Sequence, residues 1–512
     1  MATHANDGSK LFNDQVHGYI KLNGLCVSLM DTPQFQRLRD LKQLGTLYYV
    51  FPGASHNRFE HSLGVGYLAG EVVERFRQAQ PELELTRRDA TLLSAAGLLH
   101  DLGHGPFSHV FEHEFMPRVA ARGYDDGSHE YHHEDMSLRM IDYMVDDNAI
   151  DLEREDVRFI QQLIVGAKET HKGSRVDSRG YLYEIVANGR NCIDVDKFDY
   201  LARDMLNLFG VRKVFNSSRL LMFNRVINDQ ICYHTSVHLD IFDMFQQRYQ
   251  MHKQIYTHRK GKAVEYMICD AMLMADRELG ISAATKTPQE FQFLTDHIVH
   301  TIEASKSATL EKPRALIKQL RCRKLYPFVD EYLVPPELTG KLPKITSEDI
   351  ACQGNKYGTL DASDIIVYDG RLNYNLKDRN PVDEVEFYSP SDLNTSFHIP
   401  KDQVSLLYPE KFEERVIRIY SRDPSSDVLA GIQDAFRGFL RKFSTTLPPP
   451  SPSSKITTEP ATRRASKLPG SKTHRLNLLP VLEESQDAET PASGANGIDS
   501  HDDPARKRAK LE

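Results

Sequence analysis

The run His100-Asp101-Leu102-Gly103-His104-Gly105-Pro106-Phe107-Ser108-His109 gathers three imidazoles and a carboxylate into one short stretch. Its first two residues close a predicted helix, and the glycines and proline then force a turn that exposes the other two histidines. Imidazole and carboxylate bind zinc, iron and manganese alike, and imidazole also moves protons near neutral pH. An isolated His-Asp pair is common and means little. His61, in Asn57-Arg58-Phe59-Glu60-His61-Ser62, and Asp196, in Ile193-Asp194-Val195-Asp196-Lys197, extend it to an ordered set H…HD…D, with each part on a predicted helix. A second histidine-rich stretch, Ser128-His129-Glu130-Tyr131-His132-His133-Glu134, offers three more candidates.

Helices must carry these groups. Thr86 to His100 reads as one, opened by a Thr86–Asp89 capping box, with Leu92, Ala95, Ala96 and Leu99 on one face. Others run from about Asp194 to Leu208 and from Leu239 past Tyr256. Residues four apart share a helix face, so Asp196, Tyr200 and Asp204 point together with Lys197 beside them. Arg248, His252 and Tyr256 form a second polar stripe. Strand-like pieces are fewer: Leu47–Phe51, Ile365–Tyr368, Val385–Tyr388 and Val416–Tyr420. The fold expected is mainly α, with a helical core followed by a smaller mixed α/β lobe.

The chain has 512 residues, 40% hydrophobic and 27% charged, an ordinary globular balance. No apolar run approaches the roughly 20 residues that span a bilayer, and Met1 to Lys10 lacks a signal-peptide core. Six cysteines stand far apart without a CxxC pair, which points to a reducing compartment. A net charge of −8 gives no global attraction to nucleic acid. Neither GxxxxGK[ST] nor GxGxxG after a strand is present. Residues 1–9 are expected to be a flexible start, 10–330 the catalytic domain with its motifs in about 56–205, and 331–444 the mixed lobe. The Pro/Ser/Thr-rich stretch 445–512 contains no aromatic residue and reads as a disordered tail. The tail holds Ser451-Pro452 and Thr490-Pro491. It closes on Arg506-Lys507-Arg508-Ala509-Lys510, which fits nuclear import first, and otherwise a nucleic-acid contact or solubilising charge.

The order H…HD…D is the signature of the HD superfamily of metal-dependent phosphohydrolases. Asp31-Thr32-Pro33-Gln34-Phe35-Gln36-Arg37-Leu38-Arg39, the block from Tyr48 to Gly70 and HDLGHGPFSH further resemble the SAM- and HD-domain-containing dNTP triphosphohydrolases of animals. The similarity runs from about Lys10 to Tyr420, with no SAM domain ahead of it. The resemblance implies one transition metal (zinc, iron or manganese) on His61, His100, Asp101 and Asp196. It implies release of intact triphosphate from a dNTP, giving a deoxynucleoside. That leaving alkoxide needs a general acid, and the attacking water is one that a metal can supply as hydroxide.

By the same resemblance His104, His109 and His133 surround the α-phosphate, with His109 as proton donor. His133 fits better than its neighbours because a helix-like run follows it. Arg58, Lys197 and Arg248 would meet phosphates, accompanied by magnesium. Gln43, Leu44 and Tyr200 would close around the deoxyribose, with Asp204, His252 and Tyr256 completing the pocket. The family is switched on by GTP or dGTP together with dNTPs that join subunits into a homotetramer. Asp31, Gln36 and Arg39 match its guanine site, with Lys10, Asn13, Val50 and Phe51 beside it. Arg219, His258, Arg259 and Lys401 match further activator contacts, whereas His234, Ser236 and His398 stand where basic residues are expected. The resemblance also implies a nuclear enzyme that lowers dNTP pools and restricts viruses, with weak single-stranded nucleic-acid binding. Two other readings remain: an HD phosphohydrolase of cyclic or monophosphate nucleotides, and a nucleic-acid-binding protein with a vestigial site.

Overall fold

A computed structural model describes residues 8–123, 131–166, 179–210, 215, 217–353, 358–400, 403, 409–444 and 448–449. By compactness the chain divides into Met1–Thr458 and Glu459–Glu512, and the second unit lies wholly outside the described residues. So do Lys401, His129, the basic C-terminal cluster and, apart from Pro448 and Pro449, the tail expected at 445–512.

Two helices, Arg58–Ala79 and Arg87–Leu99, form the centre of the body. Each begins where a side chain satisfies backbone groups that a helix start leaves unpaired. Asn57 N donates to Glu60 Oε1 at 2.8 Å. Thr86 N donates to Asp89 Oδ2 at 2.7 Å while Asp89 N donates to Thr86 Oγ1 at 3.2 Å. The two helices approach closely enough for Ser94 Oγ to donate to the Gly66 carbonyl at 2.7 Å. Around them pack His133–Asp147, Arg154–Val165, Val195–Phe209, His238–Met251 and Arg259–Leu279. Leu93, Ala95, Leu98, Leu99, Ile160, Leu201, Phe245 and Met272 are fully buried in one continuous core. The protein is thus mainly α.

The strands are ancillary. Lys10–Asp14 and Gly18–Leu22 form a hairpin. A three-stranded antiparallel sheet centres on Glu413–Ser421, flanked by Phe328–Val334 and Ile365–Asn373, and buries Ile432, Phe436 and Phe439 of the Ser426–Leu440 helix in a separate core. A four-stranded sheet interleaves the chain. Gln230–His234 pairs in parallel with Phe387–Ser389, so residues of the expected mixed lobe complete a ladder begun in the helical body. The strand Phe328–Val334 likewise runs through the lobe boundary that the sequence places at 330.

One expected strand is absent. Leu47–Phe51 is not extended: Gly45–Tyr49 is a 3-10 helix. Leu47 N donates to Leu44 O at 3.0 Å and Val50 N to Leu47 O at 2.9 Å, so the segment closes its hydrogen bonds on itself. Its apolar and aromatic run reflects burial of Leu47 against the core, not a pleated period. Val385–Tyr388 is shifted, the strand being Phe387–Ser389 after a 3-10 turn at Pro381–Glu384.

Candidate active site

Four ligating groups converge where three helices meet. His61 stands one turn into Arg58–Ala79, His100 caps the end of Arg87–Leu99, and Asp196 lies in the first turn of Val195–Phe209. His61 Nε2 is 3.1 Å from Asp196 Oδ1 and 3.5 Å from Asp101 Oδ2. His100 Nε2 is 3.4 Å from Asp101 Oδ1 and 3.6 Å from Asp196 Oδ1. That nitrogen is buried without a hydrogen-bond partner, as expected of a lone pair aimed at a cation. Two imidazoles and two carboxylates around one point fit a divalent transition metal. Electrostatics agree. Burial would lower the His61 pKa, but hydrogen bonds to Asp196 and Asp199 push it up to about 10. Burial also opposes charge on Asp101, yet Arg58, His100 and His104 hold its carboxyl well below the usual range. The site is built to carry positive charge.

A second layer fixes these ligands. His61 Nδ1 meets Asp199 Oδ2 at 2.7 Å. Asp199 also accepts from Arg203 Nε and Nη2, both at 2.8 Å, and faces His17 Nε2 at 2.7 Å. Asp14 takes the remaining Arg203 Nη1 at 2.9 Å. Residue 64 must be glycine here, because a Cβ would overlap the Asp199 carboxylate. A carboxylate behind a metal-binding histidine orients the ring and raises its basicity.

The turn after Asp101 lines up three more histidines. His104 Nε2 lies 3.2 Å from Asp101 Oδ1, and its ring stacks on His133 with centroids 3.9 Å apart. His109 closes the triangle, 5.0 Å from His104 and 5.6 Å from His133. Phe107 and Ser108, with φ of 60° each, carry the strain of presenting His109. Three groups hold that turn. Asp296 Oδ1 accepts from Phe107 N at 2.6 Å, Ser108 Oγ donates to Lys42 O at 2.8 Å, and Arg37 Nη2 donates to His104 O at 2.7 Å. His133 opens its helix and meets Glu112 Oε2 through Nδ1 at 2.7 Å. Burial and nearby Arg58 hold His104 well below its ordinary pKa. His109, packed on its inner side though open to solvent at its edge, is lowered as well. In His133, Glu112 outweighs burial and the pKa rises.

The two polar stripes meet. Asp204 accepts from Tyr256 Oη at 2.6 Å and faces His56 Nε2 at 2.7 Å. The rings of His252 and Tyr256 are 4.9 Å apart at 87°. They are brought there by a π-helical turn at His252–Tyr256, not the regular spacing that the sequence implies. Arg248 Nη1 donates to Asn373 O at 3.1 Å, and its buried Nε has no partner. Neither does Gln43 Oε1. Lys197 Nζ rests on Asp194 Oδ2 at 3.0 Å, while Arg58 bonds Asp101 and, through Nε at 2.8 Å, Ser108 Oγ. Leu44 and Tyr200 are half-buried against the core.

A family model described as HD domain matches residues 58–204. Over 454 residues the chain is 44% identical to the deoxynucleoside triphosphate triphosphohydrolase SAMHD1 homolog of Dictyostelium discoideum, spanning 88% of this chain and 84% of that protein. The chain belongs to the SAMHD1 family. Human deoxynucleoside triphosphate triphosphohydrolase SAMHD1 is 39% identical over 456 residues, covering 81% of this chain and 71% of its own. A putative HD domain-containing protein of Acanthamoeba polyphaga mimivirus is 31% identical over 471 residues, 86% and 96% of the two chains.

The expected activator residues of this SAMHD1-family chain fall into groups. Lys10 Nζ bonds Asp31 Oδ2 at 2.9 Å, Gln36 Nε2 donates to Met30 O at 2.9 Å, and Arg39 Nε donates to Gln36 Oε1 at 2.7 Å with its guanidinium 3.5 Å over Phe59. Asn13 lies opposite Tyr19 in the hairpin beside them. Phe51, next to Val50, packs edge-on to His258 at 5.2 Å, while Arg259 pairs with Glu331 at 2.7 Å. Arg219 donates to Ser236 O at 3.0 Å, His234 Nδ1 meets Ser236 Oγ at 2.8 Å, and His398 Nε2 pairs with Glu386 at 3.1 Å.

Sequence reasoning missed the supporting residues Asp199, Arg203, Glu112, His56, Asp296 and Arg37. Only Asp199 left a signal, three residues after Asp196 and so on nearly the same helix face.

Proposed function

We propose that this chain converts a dNTP and water to a deoxynucleoside and inorganic triphosphate. The observation that carries the reading is the direct junction of the four-donor set with the histidine triangle, through His104 on Asp101 at 3.2 Å. His61, His100, Asp101 and Asp196 would hold a divalent metal, which when bound would supply Lewis acidity towards the phosphate and a water of lowered pKa as nucleophile. His109, at the open edge with 59% of its side chain exposed, donates a proton to the departing 5′ oxygen. His133, whose protonated form Glu112 favours, supplies positive charge beside the α-phosphate. Arg248 offers its unpaired Nε, and Lys197 turns from Asp194, to meet the remaining phosphates. Gln43 Oε1 accepts from a sugar hydroxyl while Tyr200 and Leu44 crowd the 2′ position, which favours deoxyribose.

Guanine nucleotide at Asp31, Gln36 and Arg39 activates a tetramer. Substitution of basic residues by His234, Ser236 and His398 weakens the second activator contact, because charge-assisted bonds to phosphate are lost. In a cell such turnover would deplete DNA precursors and restrain viral synthesis.

The test is product analysis with dGTP, comparing wild type and Asp101→Ala in the presence of metal. Wild type is expected to yield deoxyguanosine and triphosphate and the variant neither. Equal inactivity of both would remove the catalytic claim, and release of a monophosphate would assign the site to another phosphohydrolase class.

A further inference from the structure

His113 takes no part in that reaction, yet it completes a group of ligating side chains. His109, Glu112 and His113 each offer a donor atom, and the three atoms lie within 4.8 Å of one another. Their spacing of three and four residues puts them on one side of the helical turn. The His109 and His113 rings lie parallel and side by side along that turn, 3° apart in plane with centroids separated by 5.3 Å. Glu112 stands between them, its Oε2 3.9 Å from His109 Nδ1. Its other oxygen faces His132 Nδ1 at 3.4 Å, an additional imidazole at the same opening. Two histidines and one carboxylate with a free coordination position make up the donor set of open zinc sites. Both rings are exposed, so a cation can enter from solvent.

We propose that His109, Glu112 and His113 form a second transition-metal site at the mouth of the cleft, and that a zinc-class cation bound there inhibits the enzyme. Occupancy ties the His109 ring to the cation and keeps it from turning to the departing oxygen as proton donor. It also draws Glu112 away from His133, whose Nδ1 it meets at 2.7 Å, so both halves of the acid apparatus are disabled together. Losing that contact makes this site weaker than the buried four-donor set, and the two fill in sequence. Inhibition rests on the role given to His109 above, whereas binding does not.

Equilibrium dialysis of the metal-loaded protein against Zn2+, with bound metal counted, tests the site directly. Wild type is expected to take up a further equivalent that His113→Gln loses, its affinity falling at least tenfold, while the variant retains the first equivalent as evidence of folding. Titrated with Co2+ in place of zinc, wild type should show a second visible-absorption step that the variant lacks. Hydrolysis of dGTP without added zinc should persist in His113→Gln, and its inhibition by zinc should need at least tenfold more metal. A second equivalent bound equally by both proteins, or by neither, would overturn the site. Loss of that equivalent without a change in zinc sensitivity would overturn the inhibitory role alone.

Discussion

Two histidine-bearing regions lie side by side and are built in opposite ways. The His61 ring is 1% exposed and backed by Asp199, which is itself clamped by Arg203 and His17. The His109 ring is 59% exposed, and the carboxylate nearest it serves two other histidines. The first region surrounds its imidazoles with negative charge and holds the His61 ring through Asp199. The second leaves its rings in contact with one another, with pKa values pushed in different directions: down in His104 by burial and in His109 by the groups packed on its inner side, up in His133 by Glu112. Rigid excess charge suits holding an ion. Neighbouring imidazoles of unequal basicity suit passing a proton.

Four substitutions would break or sharpen that contrast. The largest effect is expected from Asp196→Ala. Metal analysis should find the site empty, and turnover should fall on the order of a thousandfold, the several kcal/mol that a Lewis acid supplies. His109→Gln should lower kcat by about 10²-fold, the low end for a general acid, while the metal on the four-donor set stays bound. A parallel loss of metal there would merge the two regions into one. Asp199→Asn touches the first region from behind. Metal affinity measured by competition with a chelator should drop about 10–100-fold. Burial raises the Asp199 pKa, but Arg203, His17 and His61 outweigh it and hold the group well below the carboxylate range. Its stabilisation is therefore present above the unfolded carboxylate pKa and fades as pH falls. Denaturation midpoints of wild type and Asp199→Asn should converge in acid. The smallest effect is expected from Glu112→Gln. Without that carboxylate His133 loses its proton at lower pH, so the alkaline limb of kcat/KM should move to lower pH. An upward shift would reverse the assignment of charge to His133.

Much of this arrangement is legible in the chain because it is local. Thr86 and Asp89 announce a helix start, that helix ends at His100, and the glycines and proline after Asp101 force the turn that exposes His109. The stripe Asp196, Tyr200 and Asp204 follows from helical periodicity alone. What escapes is the set of polar residues whose meaning depends on a distant partner. Asp296 is 189 residues from the Phe107 amide it receives, and Arg37 is 67 from the His104 carbonyl it holds. Burial raises the Asp296 carboxyl to about 6, a strain no local pattern records. Leu47–Phe51 misleads for a related reason, since its apolar content marks packing against the core and not an extended period. The π-helical turn at His252–Tyr256 likewise has no signature in spacing, although it sets where Tyr256 meets Asp204.

Gly103 carries a consequence of a different kind. A side chain there would collide with the His133 carbonyl and the Ser137 amide, and its own N–H donates to Ser137 Oγ at 2.8 Å. The backbone that bears His104 and the helix start that bears His133 therefore touch without side chains between them. Their separation is a property of two abutting main chains, not of the connecting sequence. That spacing consequently survives changes in the length of the connecting sequence, since closing a longer connection costs little extra entropy. Insertions would be silent there, whereas one added methyl group at position 103 would not.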